Sequence, residues 1–188
     1  MAAVGHTSLS KFKSALTYGG ARPSLFEFVF TATPTGIDNG LESMQLYCNV
    51  TEIPPLTVTP IERQYFGRTV KIPGDMTFGD LSTDIVNTES FQVRNEIEKW
   101  MDLINGNMNN LSFTDSTSMY GQASIAHYQK DGSIMQRYHF VDIWPTAVGE
   151  IALSYDTASD IETFNCTWAY NYYTSEGVGV AATNGLQE

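Results

Sequence analysis

The 188 residues combine 42% hydrophobic with only 16% charged side chains, enough for one well-buried domain with a sparsely charged surface. The net charge of −11 sets 21 acids against 10 Lys and Arg, with no basic run among them. Duplex binding works by basic side chains displacing condensed counterions, so this balance argues against a stable nucleic-acid complex. No stretch approaches the roughly 18 apolar residues of a membrane span, and residues 1–20 hold no apolar core of signal-peptide length. The expectation is a protein made and used in the cytosol, without membrane binding.

Residues 1–20 are small and polar, with Lys11, Lys13 and Gly19-Gly20, and read as a flexible leader or a segment ordered by a partner. Ala21-Arg22-Pro23-Ser24-Leu25-Phe26 opens a strand with Phe26, Phe28, Phe30 and Ala32 on one face and Glu27 and Thr31 on the other. A loop follows from Pro34 to the turn signal Asn39-Gly40. Met44, Leu46, Cys48 and Val50 then alternate with Ser43, Gln45, Tyr47 and Asn49, predicting a second strand.

Ile53-Pro54-Pro55 breaks that strand. Beyond it Leu56 and Val58 are answered by Val70 and Ile72, across a middle of Arg63, Gln64, Tyr65, Phe66 and Gly67. The pattern predicts a protruding hairpin with an aromatic tip. Adjacent Tyr65 and Phe66 on such a tip call for cover, by another molecule or by the domain itself. Pro73 to Asp80 reads as a turn into the next strand, where apolar positions pass from even (Met76, Phe78) to odd (Leu81, Ile85), predicting a β-bulge near Gly79.

The helix signal comes next. Val93, Ile97, Trp100, Met101 and Ile104 recur at helical spacing, with Asn87 or Thr88 as N-cap, Glu89 in the first turn and Gly106 as terminator. A lone helix of this length is marginal in water, and burying these side chains contributes about 1.5–3 kcal/mol each, so it must dock on the sheet. Asn105 to Tyr120 is an Asn/Ser/Thr-rich surface loop. Ala123–Tyr128 and Ile134–Ile143 are strands joined by the hairpin turn Lys130-Asp131-Gly132. Trp144-Pro145 marks a corner, since a proline cannot donate to a ladder.

Two alternating runs follow. Ile151, Leu153 and Tyr155 share one face of the first; Phe164, Cys166, Trp168, Tyr170 and Tyr172 share one face of the second. Asp156–Asp160 is the turn between them. Residues 174–188 are small and polar and read as a loose tail. The architecture expected is mainly β: an antiparallel β-sandwich or partly closed barrel of about eight strands, with one packed α-helix and a protruding β-hairpin, spanning residues 21–173.

Chemistry is hard to find. His6, His127 and His139 form no ligand pair, although His127 and His139 could meet across their hairpin. Cys48 and Cys166 have no C-x-x-C partner and read as small buried residues, or else as a disulfide or redox pair. Gly177-Val178-Gly179 is no phosphate loop, no Gly-x-Ser-x-Gly elbow occurs, and Asp75, Asp80 and Asp84 do not match an EF-hand. No catalytic residue, metal or cofactor is expected.

Three motifs carry a resemblance: Ala-Arg-Pro-x-Leu-Phe at 21–26, Gly-Asp-x-Thr-Phe-x-Asp at 74–80, and Trp-Pro-Thr-x-Val-Gly-Glu at 144–150 before an Ile-Glu-Thr-Phe strand. With them residues 21–173 resemble the tail tube protein of T-even-type contractile-tailed bacteriophages. That likeness implies a structural virion protein, assembled in the host cytoplasm as stacked hexameric rings inside a sheath, meeting baseplate and terminator proteins, with DNA passing transiently through the bore. It implies core or ring-interface roles for the three motifs. The arm residues Leu56, Val58, Tyr65, Phe66, Val70 and Ile72 are candidate subunit contacts, and Asp84, Glu150, Asp156 and Glu162 are candidate lumen-facing acids. The alternatives are a tube subunit of a secretion or pyocin-like machine and a β-sandwich module that binds a ligand at its Tyr65-Phe66 tip.

Overall fold

A computed structural model describes residues 9–16, 19–37, 39–112, 116–156 and 160–177. Its strands are β1 (Phe26–Ala32), β2 (Cys48–Thr51), β3 (Leu56–Tyr65), β4 (Arg68–Phe78), β5 (Leu81–Val86), β6 (Gly121–Tyr128), β7 (Ile134–Val148), β8 (Thr163–Ala169) and β9 (Tyr172–Gly177). Helices are α1 (Leu9–Ala15), the single turn α2 (Met44–Tyr47) and α3 (Gln92–Ile104). Seven strands form one antiparallel sheet in the order β1-β6-β7-β8-β5-β2, with β9 also on β7; β3 and β4 form a separate ribbon.

The long strand β7 turns the sheet into two layers. Its first part pairs with β6 and β9, and Trp144–Val148 pair with β8. Between them Asp142 takes a left-handed backbone (φ 56°), which bends the strand. The expected corner at Trp144-Pro145 therefore lies two residues earlier. Pro145 stays in the strand opposite Trp168, and a register irregularity before Ala147 accommodates its missing N–H.

The layers face each other through aromatic side chains. The Phe30 ring on β1 lies 5.2 Å from that of Trp168 on β8, and Trp100 of α3 is 5.9 Å from both. Between the layers a short polar chain is satisfied: Trp168 Nε1 donates to Thr83 Oγ1 at 2.9 Å, and Thr83 Oγ1 donates to the Cys166 carbonyl at 3.3 Å. Trp100 Nε1 donates to the Met119 carbonyl at 2.9 Å. Phe28, Phe30, Leu81, Ile85, Phe164, Cys166 and Trp168 are all buried, as their alternation predicts.

Helix α3 buries Val93, Ile97 and Trp100, the expected face. Its start differs. The residue before the first turn is Phe91, left-handed at φ 51° and without a side-chain cap, because Asn87 is drawn away to bond the Glu162 backbone and carboxylate. Neither Asn87 nor Thr88 caps the helix, and Glu89 precedes it.

Other differences have local causes. Met44–Tyr47 is helical, so Met44 is buried while Leu46 is 80% exposed; only Cys48–Thr51 is strand. The parity change near Gly79 is the junction between β4 and β5 and not a bulge. Residues 151–154 form no strand, so the hairpin expected there is absent: β8 pairs with β7 and β5 instead. The run ending in Tyr172 breaks after Ala169, where Asn171 N donates to the Val141 carbonyl, and β9 carries the chain along β7 to Gly177. Tyr172 consequently faces outward, and residues expected in a loose tail (174–177) are strand. Part of the expected flexible leader, Leu9–Ala15, is helical; residues 1–8 and 178–188 lie outside the described residues.

Candidate assembly interface

The ribbon β3–β4 stands apart from the body. Every residue of β3 is exposed, and so is every residue of β4 except Gly74 and Phe78. At its root the Phe78 ring packs 6.1 Å from Tyr170 and 5.6 Å from Tyr173. Tyr170 OH donates to the Gly79 carbonyl at 2.6 Å, and burial pushes that phenol up to about 12. At the far end Phe66 (φ 45°) and Gly67 (φ 74°) make a two-residue turn with both residues left-handed, the twist a tight hairpin requires. The Tyr65 and Phe66 rings meet edge to face at 4.7 Å, and Phe66 is 91% exposed. The arm does not fold back on its own domain.

Its pairing differs from that read off the sequence. Leu56 faces Phe78 and Val58 faces Met76, whereas Ile72 faces Ile61 and Val70 faces Arg63. Between Val58 and Pro60 the register slips by one residue, with the extra residue on β4 at Gly74–Asp75. Gly74 is required there, because a Cβ would lie 2.4 Å from the Thr59 carbonyl oxygen. The slip moves the apolar stripe across the ribbon. In the root half Leu56, Val58 and Met76 share one side; in the outer half Ile61, Ile72, Val70 and Tyr65 occupy the other. The six arm residues singled out from sequence thus fall on two opposite sides plus the tip, all exposed.

The four acids singled out sit on two elements. Asp84 projects from the outer side of β5, where its carboxylate accepts from Asn165 Nδ2 at 2.7 Å beside Ser82. Glu150, Asp156 and Glu162 belong to the connection after β7, with Glu150 and Asp156 exposed and Glu162 held by Asn87.

Two of the sequence motifs acquire reasons. Gly74 serves the arm's slip, as above. Gly149 receives Arg94 Nη1 on its carbonyl at 3.1 Å and lies so close to β8 that a Cβ would meet the Asn165 oxygen at 3.0 Å; the same Arg94 sits 5.2 Å over the Phe164 ring. The Trp-Pro-Thr-x-Val-Gly-Glu segment therefore ties α3 to the sheet. At the first motif the Arg22 carbonyl meets His127 Nε2 at 2.7 Å.

The histidines and cysteines stand apart among the described residues. His127 faces Gln136 and His139 faces Ser124, so the two histidines are not cross-strand partners; His139 lies 3.5 Å from Glu176. Both cysteines are free thiols, and burial pushes both up, Cys48 to about 12. Among the described residues no group of His, Cys, Asp and Glu could hold a metal ion, and no helix is long and apolar enough to cross a membrane.

A two-layer antiparallel body with an exposed arm defines a class: a β-domain that carries a hairpin its own chain leaves uncovered. Residues 21–176 match the family model of the phage tail tube protein, and the chain belongs to that family. It is 25% identical over 154 residues to the tail tube protein gp19 of Enterobacteria phage T4, covering 81% of this chain and 90% of that protein; the phage T6 protein matches equally. Among solved structures it resembles a chain of the sheath–tube complex of an extracellular contractile injection system in its extended state, with TM-score 0.59 and 16% identity over 92% of this chain and 99% of that one. A chain from the tube-terminating cap of the anti-feeding prophage aligns with TM-score 0.60 and 14% identity, over 84% and 91% of the two chains. These structural likenesses establish a shared fold.

Proposed function

We propose that this protein is the subunit of a phage inner tail tube, forming hexameric rings that stack around a bore through which DNA is delivered. It has no enzymatic role in this reading. The tube lies in the virion tail, assembled in the host cytoplasm, enclosed by a sheath and ended by baseplate and terminator proteins. The observation that carries this reading is the arm: a ribbon of 10 and 11 residues, apolar on both sides in turn, that buries almost nothing within its own chain. Such a ribbon is stabilised only when other copies cover it, and a head-to-tail contact repeated between identical chains closes into rings or extends into filaments.

The acidic composition fits the passage of DNA. A basic bore would hold the phosphates through many additive contacts, whereas an acidic or neutral one lets them slide. Asp84 is our candidate for the bore wall, because it sits among the hydroxyls and amides of Ser82, Asn165 and Thr167 on an outer sheet face without Lys or Arg. Negative-stain microscopy of the purified protein tests assembly: rods or stacked rings are expected, and monodisperse monomers at high concentration would refute it. Asp84→Lys should leave the rods intact and slow genome ejection from phage carrying it; unchanged ejection kinetics would remove Asp84 from the wall.

A further inference from the structure

We propose that the outer half of the arm of one subunit docks on residues 150–156 and 160–163 of a neighbouring copy. In this contact the Tyr65-Phe66 tip enters the depression between residues 151–154 and 160–163. The inference rests on the tube reading and names the partner surface within it.

The outer half of the arm carries a specific chemistry. Ile61, Ile72, Val70 and Tyr65 share a side with Arg63 and Arg68, and no carboxylate lies on that side; the Glu62–Lys71 pair, at 3.2 Å, is on the opposite one. Arg63, Arg68 and Lys71 are three of only 10 basic residues in the chain. An apolar stripe flanked by two guanidinium groups calls for a partner that is apolar and acidic together.

One surface of this chain has that character. No Lys or Arg follows Arg137, and the connection carries Glu150, Asp156, Asp160 and Glu162. Its alternation suits a strand, yet its described residues belong to no strand, and apolar side chains point to solvent: Leu153 is 84% and Ile161 74% exposed. Leu153 and Ile161 flank a depression of about 380 Å³, with Asp160 and Glu162 also lining it. An aromatic tip in that depression would cover both apolar side chains while the arginines meet the carboxylates around it.

The contact is between chains. The arm stands away from its own body with Phe66 uncovered, so its own connection does not fill the role. Tip and depression are different surfaces, which makes the contact heterologous and able to repeat from copy to copy. Free DNA phosphates would attract the two arginines but would not cover four apolar side chains beside them.

Photo-crosslinking of assembled protein tests this. A benzophenone amino acid at Phe66 is expected to link to another copy within residues 150–163, mapped by mass spectrometry after cleavage at acidic residues. Arg63→Glu with Arg68→Glu, both exposed positions, should lower rod and crosslink yield on the order of tenfold or more with an unchanged monomer melt. Adding Asp156→Arg and Asp160→Arg to that variant should restore both yields. Rods that form while the crosslink maps elsewhere, or rods lost without rescue by the reversed charges, would overturn this contact and leave the tube standing. Absence of rods and rings from the unsubstituted protein would overturn the tube reading and this contact with it.

Discussion

The body and the arm are written in the same alphabet of alternating apolar residues, and they spend it differently. In β8 the alternation puts Phe164, Cys166 and Trp168 into a closed core. In β3 and β4 a comparable alternation covers only Phe78 at the root, and one slip at Gly74 sends its apolar stripe to both sides. Hydrophobic pattern therefore specifies that a strand face will be covered. Whether its own chain supplies the cover is decided elsewhere.

The contrast can be broken most sharply by matched substitutions. Trp168→Ala should cost the isolated subunit about 3–5 kcal/mol, because it opens a cavity between Phe30 and Trp100 and leaves Thr83 Oγ1 without its donor. Ile72→Ser should change monomer stability by no more than about 0.5 kcal/mol yet abolish rods. Urea unfolding and microscopy on the same samples read both outcomes. A monomer destabilised as much by Ile72→Ser as by Trp168→Ala would mean the arm belongs to the cooperative core.

Two glycines offer a smaller version of the same test. A Cβ at Gly121 would sit 2.7 Å from the Trp100 ring and 2.9 Å from the Ala32 carbonyl oxygen, so Gly121→Ala should destabilise the body by about 1–3 kcal/mol. Gly74→Ala strains only the arm; its effect should appear as faster hydrogen exchange of arm amides and lost assembly, with the urea midpoint of the body held.

The smallest effect concerns pH. In the unfolded chain thiols ionise near 9.0, whereas burial, helped by the Asp84 carboxylate, holds Cys48 at about 12; burial likewise raises Cys166 against a smaller opposing effect of Arg94. Above pH 9 the unfolded state thus binds fewer protons than the folded one. Stability is complete below that value and falls as pH rises toward 12. Unfolding free energies from urea titrations at pH 8 and pH 10.5 should differ by on the order of 1 kcal/mol per thiol, and Cys48→Ser should reduce the difference. An equal slope in that variant would assign the loss to other groups.

Much of the body was legible because local pattern and tertiary packing agree there. The phenylalanine alternation of β1, the Lys130-Asp131-Gly132 turn and the buried stripe Val93, Ile97, Trp100 follow directly from period and turn chemistry. Reading failed where a distant partner overrode the local signal. Asn87 looks like a cap until Glu162 claims it. Residues 151–155 look like a strand, but β5 and β7 already occupy both edges of β8. Of the candidate interface, the arm and its aromatic tip were visible in sequence. Its division into two sides was not, because a one-residue slip depends on how two strands pair, and Gly74 on β4 does not by itself say which residues face each other across it.

The sequence by itself determined the β class, the single docked helix, the motifs of the family and the presence of an aromatic arm, since side-chain period and turn residues act locally. Only the tertiary structure decided that β7 bends at Asp142 to make two layers, that the acids split between an outer sheet face and an exposed connection, and that the arm remains uncovered. Those outcomes depend on which residues meet across long stretches of chain, and burial is a property of that meeting.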